Sequence, residues 1–361
     1  MLSICRSYLI YRSAMSTNSP TAFPKLATMA ITRAKSTTVK TEVSHGLSSP
    51  SKVVKTTKVS KKNGRAPASP KKKPHLEDLL GHIEIPTDYK LPASYLEFHD
   101  PEFAKGLNWV VEKDPSLYPV VVHQNFQHFK KKECEKSLSD DEIILKYWYA
   151  LISSVISQQI SGMAAKSIEG KFRALFEDGE PTAAKTLSKS VEELRSAGLS
   201  NQKSNYITHI SQVFSDPNSN LSKIQFYKEN TVDQIIEELT LLKGIGVWSA
   251  KMFALFTLNS LDVFAYDDLG IARGAAKYLI RRPKYLQKIK EEVNANEELK
   301  RLLKRKSKFE SSKGKRDWVP YHDEYIKYLG LEFSPYQSVI MLIFWRLGST
   351  NVDVLENTGV R

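Results

Sequence analysis

Beyond about residue 85, apolar side chains recur at the three- and four-residue spacing of helices that bury one face. In residues 100–114 the apolar stripe comprises Phe103, Leu107, Val110 and Val111. The same spacing predicts further helices over 140–157, 163–176, 191–197, 206–214, 247–258, 268–280 and 334–347. The best candidate for a strand, residues 120–122, is very short. We therefore expect an all-α body of about ten helices joined by short loops.

Several of these predicted helices begin with residues that suit a helix N-terminus. Acidic side chains at Asp140, Asp141 and Glu142 open the helix over 140–157, where they interact favourably with the helix dipole. Thr231 is a good N-cap for the run VDQIIEELTLL that follows it. Pro335 suits the first turn of the last long helix.

The segment over about 231–258 contains a helical hairpin around Lys243-Gly244-Ile245-Gly246. Two glycines allow a tight turn and a close approach to a partner, and Ile245 can anchor the turn in the core. The amides after Gly246 open a helix N-terminus, which suits a DNA phosphate. An ordinary helix C-cap and tight turn would explain the same residues without any ligand.

An acidic residue, Asp268, follows Gly246 by 22 positions in DVFAYDDLGIARG, and a helix follows it. Taken by itself, Asp268 is explained by N-capping of that helix. A capping carboxylate is also held rigidly, so the same side chain can serve chemistry. The small residues Ser249 and Ala250 let the two helices of the hairpin pack closely.

The pattern LxxLKGIGxWSAK followed by DVFAxDDLGIARG resembles the helix-hairpin-helix DNA glycosylases, most closely the 3-methyladenine DNA glycosylases of the fungal and AlkA type. Residues 151–168, 196–207 and 334–349 resemble further blocks of that family in the family's order, so the likeness spans roughly 84–356. The resemblance implies two helical subdomains with the substrate cleft between them. It also implies the compact helical version, without the extra β-rich domain of larger bacterial members.

The resemblance assigns the catalytic carboxylate to Asp268, which would stabilise positive charge developing on the sugar as the bond to a damaged base breaks. Trp248 stands where strand-cutting relatives have a lysine nucleophile, so the resemblance implies a monofunctional enzyme. Trp345 matches a pocket tryptophan whose face would attract a cationic base, and Trp248 belongs to the same pocket. Core packing is the alternative for both tryptophans.

The resemblance also implies which residues contact DNA. These are Gly244, Ile245, Gly246, Ser249 and Lys251 of the hairpin, together with Gln159 and Ser161 of the preceding helix pair. Gln159 lies at the family's wedge position, where the bacterial relative has leucine, and Ser161 would cap the following helix. A solvated polar turn is the alternative for Gln159. The resemblance also implies a monovalent cation at the hairpin carbonyls; no other metal or small-molecule cofactor is expected.

Two cysteines, Cys5 and Cys134, are too few for a disulfide framework, a zinc site or a four-cysteine iron–sulfur cluster. They favour a reducing compartment inside the cell. No apolar run reaches the length of a membrane span. We expect a monomer whose partner is double-stranded DNA containing alkylated bases.

The formal net charge of +13 is concentrated at the N-terminus. Residues 1–75 hold fifteen Lys and Arg and one acid, whereas the remainder holds 38 basic and 39 acidic residues. We therefore expect a disordered basic leader over 1–75 and a glycosylase domain over 76–361. Residues 1–40 resemble an organellar transit peptide, and the lysine clusters in 50–75 resemble a two-part nuclear signal. Nuclear residence is expected, with a mitochondrial share as the alternative.

A second basic stretch, about 300–318, contains nine Lys and Arg and two acids. It predicts a basic helix end followed by a flexible loop. Composition leaves two interpretations open, a surface insertion and a contact with the DNA backbone.

These observations predict a monofunctional DNA-3-methyladenine glycosylase that hydrolyses the N-glycosidic bond of alkylated purines in duplex DNA and leaves an abasic site. Two alternatives remain at this point. One is a non-catalytic helix-hairpin-helix module that only grips DNA. The other is a glycosylase of the same fold for other base lesions.

Overall fold

The computed structural model describes residues 83–132, 138–309 and 318–348 of the 361-residue chain. The expected leader over 1–75, Cys134 and most of the predicted loop beyond Phe309 lie outside these residues. Within them the fold is helical, with one isolated β-bridge between His99 and Lys130. This confirms the predicted all-α fold class.

Sixteen α-helices lie in the described part of the chain, and we number them in chain order. They are α1 (Ala93–Phe98), α2 (Pro101–Lys113), α3 (Tyr118–Val122), α4 (Asp140–Ser157), α5 (Gly162–Arg173), α6 (Ala183–Leu187), α7 (Val191–Ser196), α8 (Asn201–Ser215), α9 (Ile224–Glu229), α10 (Val232–Leu239), α11 (Val247–Phe256), α12 (Leu269–Ile280), α13 (Pro283–Ala295), α14 (Glu297–Leu302), α15 (Asp323–Leu331) and α16 (Gln337–Gly348). Short 3-10 turns cover Pro115–Leu117, Gln127–Phe129 and Asn220–Ser222.

Helix starts follow the predicted capping chemistry. Ser139 caps α4 in a reciprocal capping box with Glu142, and Thr231 forms the same arrangement with Gln234 at the start of α10. Each such cap is worth roughly 1 kcal/mol of helix stability. These caps fix where α4 and α10 begin, and with them the direction in which their apolar faces point.

Two details of the predicted helices are corrected by the structure. Residues 120–122 were expected to be the best candidate for a strand, but they form the end of α3, where Pro119 occupies the first turn. Three β-branched residues carry too little pattern to oppose the packing of a short helical turn. The last helix begins at Gln337, so Pro335 precedes it and is not in its first turn.

Two separate hydrophobic cores organise the helices. The first core joins α2 and α3 to the C-terminal helices α12, α13, α15 and α16, with Phe103, Ile271 and Phe344 fully buried. The second core joins α4, α8, α10 and α11 around Trp148, Ile207 and Ala254. Trp148 also donates from Nε1 to Ser211 Oγ at 3.1 Å, which fixes α4 against α8. The two cores correspond to the two helical subdomains that were expected.

Candidate active site

The turn between α10 and α11 requires a residue without a side chain at position 244. Gly244 has a φ of +88°, which favours glycine, and a Cβ atom there would overlap the Tyr206 ring. Ile245 is buried in the second core, as predicted. Gly246 is the N-cap of α11 and provides no side-chain hydrogen bond to it. The first amides of α11 therefore lack a side-chain cap, which is the arrangement that suits an anion.

The loop between α4 and α5 is tied to this turn. Gln158 Nε2 donates to the Gly244 carbonyl at 2.8 Å, and Lys203 Nζ donates to the carbonyls of Ile156 and Gln158 at 2.7 and 2.8 Å. Gln159 is exposed at the tip with a φ of +58°. Ser161 caps α5 by accepting from the Ala164 amide at 3.3 Å, as predicted. Gln159 and Ser161 thus lie on a loop that is connected to the Gly244–Gly246 turn.

Asp268 receives hydrogen bonds from two tryptophans. Trp248 Nε1 donates to Oδ2 at 3.0 Å, and Trp345 Nε1 donates to Oδ1 at 2.7 Å. Oδ1 also accepts from the Ile271 amide at 3.0 Å, so Asp268 is the N-cap of α12. The capping role and the predicted proximity of Trp248, Asp268 and Trp345 are therefore both present. Charge-assisted bonds from three directions fix the carboxylate in one orientation.

The two tryptophans differ in their surroundings. Trp248 is 44% exposed in the first turn of α11, whereas Trp345 is half-buried in α16. Phe256 lies parallel to Trp345 with a ring-centroid distance of 6.3 Å. Core packing, the alternative for both residues, does not explain why both indole N–H groups donate to Asp268. Their polar edges converge on one carboxylate and leave aromatic surface beside it.

Close contact between α12 and α16 sets the position of Trp345. A Cβ atom at Gly274 would overlap the Phe344 carbonyl oxygen, and one at Gly348 would overlap the Gly270 carbonyl oxygen. The two helix backbones therefore touch without intervening side chains. Because Asp268 caps one helix and Trp345 lies on the other, this contact determines the distance between them.

Lys251 is oriented into the protein. Its Nζ donates to the Phe264 carbonyl at 2.9 Å and lies 4.6 Å from the Tyr266 ring centroid. Burial lowers its pKa, mainly by desolvation of the ammonium. The DNA contact expected of Lys251 would require this bond to break, because the second turn of α11 faces the segment over 264–266. Ser249, also expected at the DNA, is half-buried two residues earlier, in the first turn of α11.

Two features near Asp268 had no signal in the sequence. Asp267 Oδ2 accepts from Lys308 Nζ at 2.8 Å, although 41 residues separate them. This hydrogen bond raises the pKa of Lys308. The second feature is Phe256 beside Trp345, which reads in the sequence as one more core residue of α11.

Two further observations concern ligands and membranes. In the described ranges, no group of three or more His, Cys, Asp or Glu residues is arranged to hold a metal ion. Of the helices in those ranges, none is both long and apolar enough to cross a membrane.

Comparisons with known proteins identify the family of the chain. The profile of the HhH-GPD superfamily of base excision DNA repair proteins matches residues 152–305, which include the hairpin and Asp268. DNA-3-methyladenine glycosylase of Saccharomyces cerevisiae is 34% identical over 282 residues, or 75% of this chain and 88% of that protein. DNA-3-methyladenine glycosylase 1 of Schizosaccharomyces pombe is 34% identical over 139 residues, or 37% of this chain and 58% of that protein.

Among solved structures, a DNA-3-methyladenine glycosidase from Bacillus halodurans matches with 24% identity and a TM-score of 0.44, covering 68% of this chain and 89% of that one. The sequence similarity to the Saccharomyces protein extends over most of both chains. The chain therefore belongs to the HhH-GPD superfamily of base excision DNA repair proteins, and it is a DNA glycosylase.

Proposed function

We propose that this glycosylase is monofunctional and hydrolyses the N-glycosidic bond of alkylated purines, 3-methyladenine above all, in duplex DNA, leaving an abasic site. The observation that carries the proposal is the Asp268 carboxylate held between the indoles of Trp248 and Trp345. The names of the similar yeast proteins agree with it.

The chemistry that this arrangement suits begins with a base outside the helix stack. Extrusion of a nucleotide costs a few kcal/mol, which contacts in the pocket must offset. A 3-methylated adenine is cationic, so the faces of Trp248 and Trp345 attract it more strongly than a neutral base. Selectivity for alkylated purines follows from this preference.

Bond cleavage then requires little acid catalysis, because a cationic purine is already a good leaving group. As the C1′–N bond lengthens, positive charge develops on the sugar, and the fixed Asp268 carboxylate stabilises that charge. Asp268 also orients or deprotonates the water that attacks C1′. The products are the free base and an abasic sugar in an otherwise intact strand.

The absence of an amine at position 248 supports the monofunctional assignment. A strand-cutting glycosylase needs a lysine that attacks the sugar and forms a Schiff base. Lys251 is the amine to consider, since a desolvated lysine is a better nucleophile. Its bond to the Phe264 carbonyl and its position beside Tyr266 give it a structural role instead.

We assign DNA positioning to the two connected turns. The uncapped amides after Gly246 bind a phosphate, with Ser249 in the same first turn of α11. Gln159 enters the space left by the extruded nucleotide, and Ser161 stabilises the loop that carries it. Phosphate contacts of this kind fix the position of the protein but read no sequence.

A monovalent cation at the hairpin stays a prediction. The carbonyls of Leu242 and Gly244 accept from the Ile245 amide at 3.1 Å and from Gln158 at 2.8 Å. Each carbonyl oxygen has a second lone pair, so this turn fits a cation that prefers oxygen ligands. When bound, such an ion would add positive charge beside the phosphate, and no step above depends on it.

Nuclear residence, with a mitochondrial share as the alternative, rests on residues 1–75 and stays a prediction. So do the monomeric state and the boundary between leader and domain at 75–76. Fluorescent fusions that begin at Met1 and at Met29 would separate the two addresses, since the second lacks most of the transit-like segment.

The experiment that tests the function is release of free 3-methyladenine from methylated duplex DNA. Wild type and Asp268→Asn are compared, and nicking is followed before and after alkali. We expect base release by wild type, nicks only after alkali, and no trapped covalent complex with borohydride. A covalent complex that borohydride traps with wild type but not with Lys251→Gln would contradict the monofunctional assignment. If a folded wild type binds duplex DNA and releases no methylated base, a glycosylase for other lesions becomes the better proposal.

A further inference from the structure

A short basic segment follows α14 close to the active site. We call residues 304–309, Lys-Arg-Lys-Ser-Lys-Phe, the basic segment. Buried and exposed residues alternate here: Ser307 and Phe309 are buried, and the lysine that precedes each of them, Lys306 and Lys308, is exposed. This alternation directs the lysines to solvent along one edge of the domain.

The basic segment, which follows the predicted basic helix end, is anchored; residues 310–317 of the predicted flexible loop lie outside the described residues. The Arg305 guanidinium donates to Asp323 Oδ2 at 2.5 Å and to Glu324 Oε1 at 2.6 Å, and both acids are buried. The ring of His322 hydrogen-bonds the Arg305 carbonyl at 3.0 Å. The Arg305 side chain is thereby occupied by ion pairs at the N-terminus of α15, and these bonds fix the backbone around it.

A second anchor joins the segment to the residue before Asp268. Lys308 pairs with Asp267, whose other oxygen, Oδ1, is buried without a partner in the described structure. Adjacent Cα atoms are about 3.8 Å apart, so this pair lies beside the proposed catalytic carboxylate. The basic segment therefore borders the active site and is not a remote surface insertion.

The cations of the basic segment fall into two groups. Arg305 is paired with Asp323 and Glu324, and Lys308 is paired with Asp267. Lys304 and Lys306 add two exposed cations that have no carboxylate partner in the described part of the chain. Exposed cations without a carboxylate partner attract the phosphates of a bound duplex.

We propose that the basic segment is a second contact for the DNA backbone, separate from the hairpin. Lys304 and Lys306 contact phosphates of the strand that carries the extruded nucleotide, while Lys308 stays paired with Asp267. The proposal rests on the proposed function in one respect, that the substrate is duplex DNA. It assigns to this segment one of the two interpretations that composition left open.

The test is the salt dependence of DNA binding by the full chain. The probe is a fluorescein-labelled duplex with one tetrahydrofuran abasic analogue, measured from low to high salt. Each phosphate neutralised by a cation contributes about 0.9 to the slope of log K against log salt. Lys304→Gln/Lys306→Gln should therefore lower the slope by between about 1 and 2. Lys308 is left intact, because its loss would also unpair Asp267.

The matched control is Lys171→Gln/Lys284→Gln, which removes two exposed lysines on α5 and α13. It lowers the net charge equally and should leave the slope unchanged. Equal slopes in the test and control variants would overturn the proposal and leave the segment a solvated surface. This assay measures DNA binding alone. A wild-type protein that released no methylated base would contradict the proposed function but would leave the difference between the two salt slopes unchanged.

Disulfide trapping gives a second, positional measurement. Lys306→Cys in a Cys5→Ser/Cys134→Ser background should form a disulfide by thiol–disulfide exchange with a duplex whose tether, on a phosphate near the abasic analogue, carries a mixed disulfide that releases a small thiol. Lys284→Cys in the same background serves as the control. Trapping at tethers beside the lesion supports the proposal, and equal trapping of both variants, or of neither, overturns it.

Discussion

The hairpin turn at Gly244–Gly246 and the site at Asp268 are linked through Trp248, yet they expose different parts of the chain. The turn presents backbone amides, and its shape depends on a missing Cβ atom beside Tyr206. The Asp268 site presents a carboxylate, and its shape depends on two indole donors. The difference teaches that the turn tolerates no added side-chain atom at Gly244, whereas the Asp268 site tolerates no loss of the carboxylate or of its indole donors. Four substitutions and two matched controls test this comparison.

The largest effect is expected from Asp268→Asn. The substitution keeps the size of the side chain but removes the negative charge and one of the two acceptors that the indoles use. Loss of a fixed group that stabilises transition-state charge typically costs about 10²- to 10³-fold in rate. We expect base release to fall by about 10³-fold in single-turnover assays while the Kd for duplex DNA changes little. A parallel rise in Kd would show that Asp268 acts in binding.

Gly244→Ala should be damaging for the opposite reason, since it adds one methyl group. The residue must keep a positive φ, and its Cβ would overlap the Tyr206 ring. We expect a loss of about 2 to 3 kcal/mol in the free energy of unfolding, together with weaker DNA binding. Denaturant titration and anisotropy measure the two effects.

Gly246→Ala is the matched control for that prediction. Gly246 has a φ of −93°, and a Cβ atom there would meet nothing within 4 Å. Its unfolding free energy should stay within about 0.5 kcal/mol of wild type. A large destabilisation at Gly246 would show that the turn is fragile throughout and not at Gly244 alone.

Trp345→Phe sharpens the account of the Asp268 site. Phenylalanine keeps an aromatic face but removes the donor to Oδ1. A hydrogen bond to a charged group is worth about 1.5 to 3 kcal/mol, so a partial loss predicts a fall in rate of about tenfold. The Kd for an abasic duplex should not change. An unaltered rate would mean that the ring alone matters and that its N–H does not position the carboxylate.

The smallest effect is expected from Gln158→Ala, which removes the donor to the Gly244 carbonyl. A single neutral hydrogen bond contributes about 0.5 to 1.5 kcal/mol, so Kd should rise about threefold. Gln225→Ala, which removes a bond to Glu229 within α9, is the control and should leave Kd unchanged. A tenfold or greater rise for Gln158→Ala would show that the two turns act as one binding element.

The hairpin could be predicted in some detail because glycine punctuates it. The pair Gly244 and Gly246 marks a turn between two periodic apolar runs, and Thr231 marks where the first helix starts. The sequence left two interpretations of Asp268 open, an N-cap and a catalytic carboxylate. In the structure it caps α12 and also accepts hydrogen bonds from both indoles. These features depend on residues that are near one another in the sequence, so they could be predicted from the sequence alone.

The position of Trp345 could not be obtained from its own helix. The run IMLIFWRLG reads as a core helix, and only the family resemblance brings Trp345 to Asp268. Residues 120–122 formed a helix for a similar reason, since a run so short is decided by its packing. The pair between Asp267 and Lys308 joins residues 41 positions apart, and no periodicity reports such a contact.

The contact between α12 and α16 has a consequence for motion in this enzyme. Because their backbones touch, the two helices move as one body, and the bond from Trp345 to Asp268 travels with them. Trp248 lies on α11, most of whose buried residues belong to the second core. Any hinge opening between the cores must therefore stretch the bond from Trp248 to Asp268 and spare the other. The Trp345 side of Asp268 is therefore the fixed side of the site, and the Trp248 side is the one that such a hinge motion would displace.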